Sequence, residues 1–108
     1  MSPTPCIVLT TVGASFDVSP LVRELVERKL AACVNVVSDI RSIYSWKGSV
    51  GDDSEQLLII KTVEENVDRL REALFARHPY EVPEFVVLKI DRIEGPYRDW
   101  LIAATGHA

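Results

Sequence analysis

The side chains best suited to chemistry lie in one short segment, His78-Pro79-Tyr80-Glu81-Val82-Pro83-Glu84. The segment carries an imidazole, a phenol and two carboxylates, and two prolines stiffen it because proline fixes its own φ and disfavours helix in the preceding residue. Imidazole with carboxylate suits borderline divalent ions such as Cu(II) or Zn(II). The loop is therefore a candidate for a metal site, a polar ligand site or a subunit contact.

Two interpretations of His78 stay open from the residues alone. His78 follows Leu74 by four positions, so it lies on the apolar stripe of a predicted helix, at the C-terminal end where its ring can interact with free carbonyls. As a metal ligand, it would be joined by Glu81 and Glu84 from the same loop. One chain offers too few ligands for a closed zinc site, so a metal site here would be weak, open or shared between subunits.

Cys33 and Lys61 are further candidates from the predicted strands. Cys33 offers a softer ligand if the fold brings it near His78, although a lone buried cysteine is more often a small core residue. Lys61 ends an apolar run and either marks the exit of a strand to solvent or points into a cleft, toward Glu81, Glu84 or an anionic ligand. Tyr44 and Trp46 would be walls of such a cleft or anchors of a subunit interface.

Conventional catalysis is not expected. The chain has no Gly-rich phosphate loop, no nucleophile elbow and no histidine-bearing metalloprotease motif. Its serines have no evident His-Asp relay, and His107 lies in a tail that is expected to fray. We therefore expect a protein that is not an enzyme.

Composition narrows the class of protein further. The 108 residues are expected to form one domain, 1–108, with 47% hydrophobic and 26% charged residues. A net charge of −4 disfavours nucleic acid as a partner. The longest apolar runs are too short to span a bilayer, and the first residues do not resemble a signal peptide. The two cysteines do not suggest a disulfide scaffold, so a cytoplasmic location away from membranes is expected.

Apolar patterning predicts four strands and three helices. Runs or alternation of β-branched residues predict strands at 6–12, 32–46, 55–63 and 85–90. Helical spacing predicts a helix at 19–30, a second ending near His78, and a short closing helix after Gly95-Pro96.

Local signals refine the ends of these elements. Ser19-Pro20 predicts the start of the first helix, and Thr62-Val63-Glu64-Glu65 predicts a capping box for the second. Residues 48–53 are predicted to be the turn of a long hairpin, and the acidic run 51–55 is interpreted as solvated.

The order β-α-β-β-α-β predicts an α+β, ferredoxin-like fold with an antiparallel sheet and both helices on one face. The second and fourth strands should then be edge strands. Because one apolar sheet face is left uncovered, a homo-oligomer that joins edges and covers this face is expected. The alternative is a twisted hairpin that folds over its own sheet.

Four sequence blocks together resemble the CutA family of divalent-cation tolerance proteins. They occur in family order and the resemblance extends from residue 7 to 101; the blocks are 29–36 (KLAACVNV), 42–48 (SIYSWKG), 57–62 (LLIIKT) and 78–84 (HPYEVPE). One departure is Ser45, where the family often has an aromatic residue.

The resemblance implies a compact homotrimer with strands extended across subunits, similar in architecture to signalling proteins of the PII type. By position it implies Cys33, His78 and Glu84 as metal ligands, and Lys61, Tyr44, Trp46 and Tyr80 as cleft residues; Glu81 is a candidate ligand because it is close to His78 in the sequence. Cu(II) or another divalent cation, weakly bound, is the expected cofactor.

Three hypotheses follow. The leading one is a cytoplasmic trimer that binds divalent metal, Cu(II) first, and contributes to metal tolerance. The second is a PII-like module that binds an anionic small molecule in a cleft between subunits. The third is a trimeric scaffold without a ligand.

Overall fold

The computed structural model describes residues 2–107 and has the predicted α+β architecture. Strands β1 to β4 comprise Pro5–Gly13, Cys33–Trp46, Ser49–Val63 and Val86–Lys89. Helices α1 to α3 comprise Ser19–Glu27, Val67–Arg77 and Gly95–Ala104. Within the described part of the chain, no helix is long and apolar enough to cross a membrane.

The sheet is antiparallel in the order β2-β3-β1-β4, so β2 and β4 are the edge strands, as predicted. Alternate residues of β1 and β3 are fully buried beneath α1 and α2, where Val8, Leu58 and Ile60 contact Leu25 and Leu74 in one core cluster. This period-two burial is the reason the apolar runs form strands with a helix-covered face.

The opposite sheet face, here called the open face, carries no helix layer over most of its area. The pairing register places a second apolar set there, which is half-buried or exposed: Ile7, Leu9, Val37, Leu57, Ile59, Val86 and Leu88. An antiparallel sheet with one solvated face normally presents polar residues on it. An apolar open face is typical of a surface that another chain covers.

The long hairpin turns earlier than predicted. The prediction of a turn over 48–53 is wrong, because β3 already begins at Ser49 and only Lys47 and Gly48 connect the strands. Both have positive φ, 49° and 81°, as a two-residue hairpin turn of type I′ requires. Residues 49–54 lack strand-type apolar alternation and are held instead by pairing with β2.

The predicted capping box is also wrong. Thr62 donates its hydroxyl to the Leu30 carbonyl at 2.6 Å instead of capping a helix. Glu65 accepts the Thr4 backbone N–H at 3.0 Å, and a 3-10 turn at Glu64–Asn66 leads into α2. Helix α1 ends three residues before the predicted end, because Lys29 adopts a φ of 59°.

Candidate functional site

A groove of about 550 Å³ lies on the open face along the outer half of the β2–β3 hairpin. One wall is built by strand residues that alternate onto this face, among them Tyr44 and Trp46 of β2 and Asp53 and Glu55 of β3. The other wall is the loop between α2 and β4, which contributes Pro79, Tyr80, Glu81, Val82 and Glu84. The groove thus joins an aromatic strand surface to the Pro-rich loop.

Two phenol–carboxylate hydrogen bonds shape the groove. Tyr80 donates its hydroxyl to Glu55 Oε2 at 2.5 Å, and Tyr44 donates its hydroxyl to Asp53. Burial, followed by the bond to Glu55, raises the pKa of Tyr80, and the bond to Asp53 is the main cause that raises the pKa of Tyr44. Both phenols therefore stay protonated donors at neutral pH, and each holds the carboxylate that it contacts in place at the groove.

Glu55 is the buried charge of the site, with 6% of its surface exposed. The ion pairs of residues 2–107 are Arg28–Glu24, Arg77–Glu24 and Arg41–Asp52, so none of them involves Glu55. A buried carboxylate usually pairs with a cation, because loss of water is costly for a charge. Within the described chain, the negative charge of Glu55 is met only by the Tyr80 hydroxyl.

The loop reaches the groove because β4 is short. β4 pairs with β1 only over Cys6–Leu9, which leaves the carbonyl of Thr11 without a strand partner on that side. His78, the residue that follows α2, occupies this position, and its Nε2 lies 2.9 Å from the Thr11 carbonyl oxygen. The imidazole thereby pins the start of the loop to the sheet edge.

The hydrogen bonds of His78 define its tautomer. The backbone N–H of Tyr80 donates to Nδ1 at 3.1 Å, so Nδ1 carries the lone pair and Nε2 carries the proton that it donates to Thr11. Burial lowers the pKa of His78 below its ordinary 6.5, the main opposing cause being the bond to Thr11. The ring is therefore neutral at pH 7.

The structure brings some of the sequence-predicted residues together and separates others. Tyr44, Trp46, Tyr80, Glu81 and Glu84 all line the groove, and His78 anchors its loop. Cys33 and Lys61 do not line it.

Cys33 and Lys61 lie opposite each other, where β2 pairs with β3. The Nζ of Lys61 is 5.9 Å from the ring centroid of Tyr97 on α3. The Lys61 ammonium group and the Cys33 thiol are therefore close to each other and away from the acidic loop that carries Glu81 and Glu84.

The predicted metal ligands do not form a cluster within one chain. Across residues 2–107, no group of three or more His, Cys, Asp or Glu side chains is placed to hold a metal ion. Any site that uses His78, Glu81 or Glu84 must therefore be open or completed from outside the chain.

The sequence interpretation missed Asp53 and Glu55, which it assigned to a solvated turn. They alternate in phase with Leu57 and Ile59 on the open face, and that phase was the signal available in the sequence. It was hidden because Gly51 and the neighbouring acidic residues resemble a turn more than a strand.

The fold and groove define a ferredoxin-like α+β protein with a candidate binding cleft on its open sheet face. A family model described as "CutA1 divalent ion tolerance protein" matches residues 6–104. The chain belongs to this family, the CutA family.

Named relatives agree with this assignment. The chain is 44% identical over 100 residues to the "Divalent-cation tolerance protein CutA" of Thermus thermophilus, covering 93% of this chain and 97% of that protein. It is 51% identical over 81 residues to the "Protein CutA homolog" of Xenopus laevis, covering 75% of this chain and 54% of that longer protein.

Solved structures show the same fold. The Thermus thermophilus protein superposes with a TM-score of 0.89 at 43% identity, covering 94% of this chain and 99% of that chain. CutA1 from Oryza sativa superposes with a TM-score of 0.91 at 39% identity, covering 99% and 98%. The fold predicted from the sequence is confirmed.

Proposed function

We propose that this protein is a cytoplasmic homotrimer that binds a divalent metal ion, Cu(II) first, and contributes to metal tolerance by buffering or signalling, without enzymatic activity. The metal is held weakly by Nδ1 of His78 with carboxylate oxygens of Glu81 and Glu84. The observation that carries the proposal is the anchoring of His78 Nε2–H on the Thr11 carbonyl at 2.9 Å.

This anchoring is the pattern expected of a metal-binding histidine. Such a histidine usually donates its second ring N–H to a carbonyl or carboxylate, which fixes the tautomer and the direction of the free lone pair. In His78 that lone pair is on Nδ1 and faces the loop that carries Glu81 and Glu84. A bound metal would replace one weak partner, the backbone N–H of Tyr80.

Burial favours the same role. Metal binds the neutral imidazole, and burial lowers the pKa of His78, so protons compete less at neutral pH. Imidazole nitrogen with carboxylate oxygen suits Cu(II), which stands highest among the common divalent ions in affinity for such ligands.

Assembly would supply what one chain lacks. The apolar open face and the free edges of β2 and β4 favour association with further copies. In a trimer, a neighbouring subunit can contribute remaining ligands, and Cys33 on the edge strand β2 is a candidate for that contribution.

The cytoplasm is the location we propose. Cys6 is buried and Cys33 half-buried, and both are free thiols, as is usual in a reducing compartment. Some relatives are named for another location, such as "Protein CutA, chloroplastic" of Arabidopsis thaliana. Fractionation of the native host tests the location directly.

Titration of chelator-stripped protein with Cu(II) and Zn(II) tests the metal site. We expect saturable binding at one ion per chain or a simple fraction of it, weakened about a hundredfold or more in His78→Ala. His107→Ala is the matched control, because it removes the other histidine of the chain, whose Nε2 lies 2.9 Å from Asn66 Oδ1. Light scattering on the same samples checks that the oligomer is retained. Equal affinity in wild type and His78→Ala would refute the assignment.

A PII-like small-molecule module is the second candidate, and the groove favours it. The groove does not favour the anionic ligand that the sequence suggested. Lys61, the cation expected to bind it, lies near Tyr97, and four carboxylates line the groove. A ligandless scaffold predicts instead that His78→Ala and Glu84→Ala change assembly or stability and leave metal binding untouched.

A further inference from the structure

We propose that Tyr80 lowers the metal affinity of His78, because its phenol bond to Glu55 keeps its backbone N–H on the ring nitrogen that a metal ion needs. Tyr80 is thus a positioning residue that holds the metal-free arrangement of the loop. This inference rests on the proposed metal function of His78 and adds a restraint that opposes it.

The lone pair on Nδ1 of His78 already has a partner in the chain. The backbone N–H of Tyr80 donates to Nδ1 at 3.1 Å, while Nε2 of the same ring lies 2.9 Å from the Thr11 carbonyl oxygen. The single lone pair of a neutral imidazole accepts either a hydrogen bond or a metal ion. Nδ1 can therefore take a metal ion only after the Tyr80 N–H has moved away.

Proline stiffens the backbone that brings this N–H to the ring. His78 has extended dihedral angles, φ −70° and ψ 132°, which a following proline favours. Pro79 in turn has a restricted φ, so the chain from His78 to Tyr80 has few alternative conformations. Because the turn is stiff, the N–H leaves Nδ1 only if the Tyr80 residue as a whole is displaced.

The side chain of Tyr80 opposes that displacement. Its hydroxyl donates to Oε2 of Glu55 at 2.5 Å, a charge-assisted hydrogen bond to a residue that is only 6% exposed. Its ring also contacts the His78 ring in an edge-type arrangement, with the centroids 4.9 Å apart. A shift of Tyr80 would deprive the buried carboxylate of this donor, and the loss of a hydrogen bond by a buried charge is costly.

Glu55 is a firm anchor because it lies within the sheet. It is paired with Ile40 of β2 on one side and with Gly13 of β1 on the other. The loop that carries His78 is therefore tied to the sheet through Tyr80. Metal binding at Nδ1 must overcome this tie.

Calorimetric titration of chelator-stripped wild type and Tyr80→Phe with Cu(II) tests the inference. Phenylalanine keeps the ring contact with His78 and removes only the hydroxyl bond to Glu55. We expect Tyr80→Phe to bind Cu(II) about tenfold more tightly than wild type, since a hydrogen bond to a charged group no longer opposes the displacement. Equal or weaker binding by the variant would overturn the inference.

Three further variants separate this restraint from other causes of tighter binding. Tyr44→Phe is the matched control, because it removes the other phenol–carboxylate bond of the groove, the one to Asp53 within the hairpin. It should leave the affinity within about twofold of wild type. Tyr80→Phe combined with Glu55→Gln should keep the gain, and Tyr80→Phe combined with His78→Ala should lose it. An equal gain in Tyr44→Phe, or loss of the gain with Glu55→Gln, would overturn the inference.

Hydrogen exchange of the residue-80 amide, followed by NMR without metal, tests the restraint directly. The amide should exchange at least about tenfold more slowly in wild type than in Tyr80→Phe, because the phenol bond keeps it on Nδ1 of His78. Equal exchange in the two proteins would overturn the inference whatever the metal titration gives.

The outcomes also separate this inference from the proposed function. If wild type binds Cu(II) through His78 and Tyr80→Phe binds it no more tightly, the inference alone is refuted. If wild type shows no saturable binding but Tyr80→Phe binds Cu(II) through His78, the inference is supported and the proposed function is refuted. If neither protein binds Cu(II), both are refuted.

Discussion

At the scale of single residues, His78 is central to both the structure of the loop and the proposed metal site. Its two ring nitrogens connect the sheet edge at Thr11 to the backbone of Tyr80. The bond that Nδ1 accepts from Tyr80 requires the neutral ring, whereas the bond to Thr11 requires only the proton on Nε2. Protonation would put a second N–H on Nδ1, opposite the Tyr80 N–H. The same imidazole is therefore a structural clamp and the proposed metal ligand.

Stability should depend on pH through this residue. Burial lowers the pKa of His78 from 6.5, so as the pH falls below 6.5 the unfolded chain takes up a proton before the folded one does. The free energy of unfolding should be undiminished above about pH 6.5, decrease as the pH falls from 6.5 toward the folded pKa, and level off below it.

Urea unfolding of wild type and His78→Gln between pH 4.5 and 7.5 measures this effect. The carboxyl groups with lowered pKa values, Glu24, Asp52 and Glu65, also reduce stability toward the acid end of this window, but they are the same in both proteins. We expect a decrease in wild type and a flatter profile in the variant. The same slope in both proteins would contradict the role of His78.

At the scale of elements, the β2–β3 hairpin determines the groove. Its strands have 14 and 15 residues, and a bulge after Val37, with Asp39 at a φ of 61°, shifts the pairing register by one residue beyond it. Because of this register, Tyr44 lies opposite Gly51, and its ring covers the glycine. A Cβ at Gly51 would lie 2.8 Å from Cε1 and from Cε2 of that ring. The absence of a side chain at Gly51 is thus what lets Tyr44 lie flat on the hairpin.

Gly51→Ala should displace Tyr44 and break its hydrogen bond to Asp53. We expect a loss of stability of about 1 kcal/mol, from one strained contact and one lost hydrogen bond. Chemical denaturation checks this, with Gly95→Ala as control because a Cβ there meets nothing within 4 Å. Equal stability of Gly51→Ala and wild type would show that the ring is not held by this contact.

At the scale of the whole molecule, the two sheet faces differ in what covers them. Helices α1 and α2 bury one face along the central strands β1 and β3, whereas the apolar residues of the other face remain half-buried or exposed, as Leu88 is at 43%. Closing that face against further copies would bury apolar area and occupy the free strand edges, which favours the trimer that we propose.

Leu88→Asp should therefore dissociate the oligomer. A charge on the apolar face would be buried without a partner in the assembly but is tolerated on a free surface. Light scattering should give about three chains for wild type and one for the variant. Val26→Asp is the control, since Val26 has a similar exposure of 42% but lies on α1 in the helix layer. A monomeric wild type, or dissociation of the control alone, would contradict the proposed interface.

The sequence by itself determined the elements, their order and the family. Apolar periodicity and proline positions are local properties, so β1, both main helices and the end of α2 at His78 could be predicted from neighbouring residues. The residues of the loop, Tyr80, Glu81 and Glu84, were also identified because they are close together in the chain.

Only the tertiary structure decided which distant residues share the groove. Strand register placed Asp53 and Glu55 beside Tyr44 and turned Lys61 toward Tyr97, and these placements depend on pairings between residues far apart in the chain. The short β4 exposed the Thr11 carbonyl that orients His78. A local pattern predicts which face of a strand a side chain occupies. Its neighbours on that face depend on strand register and loop closure, and these are set by the packing of the complete chain.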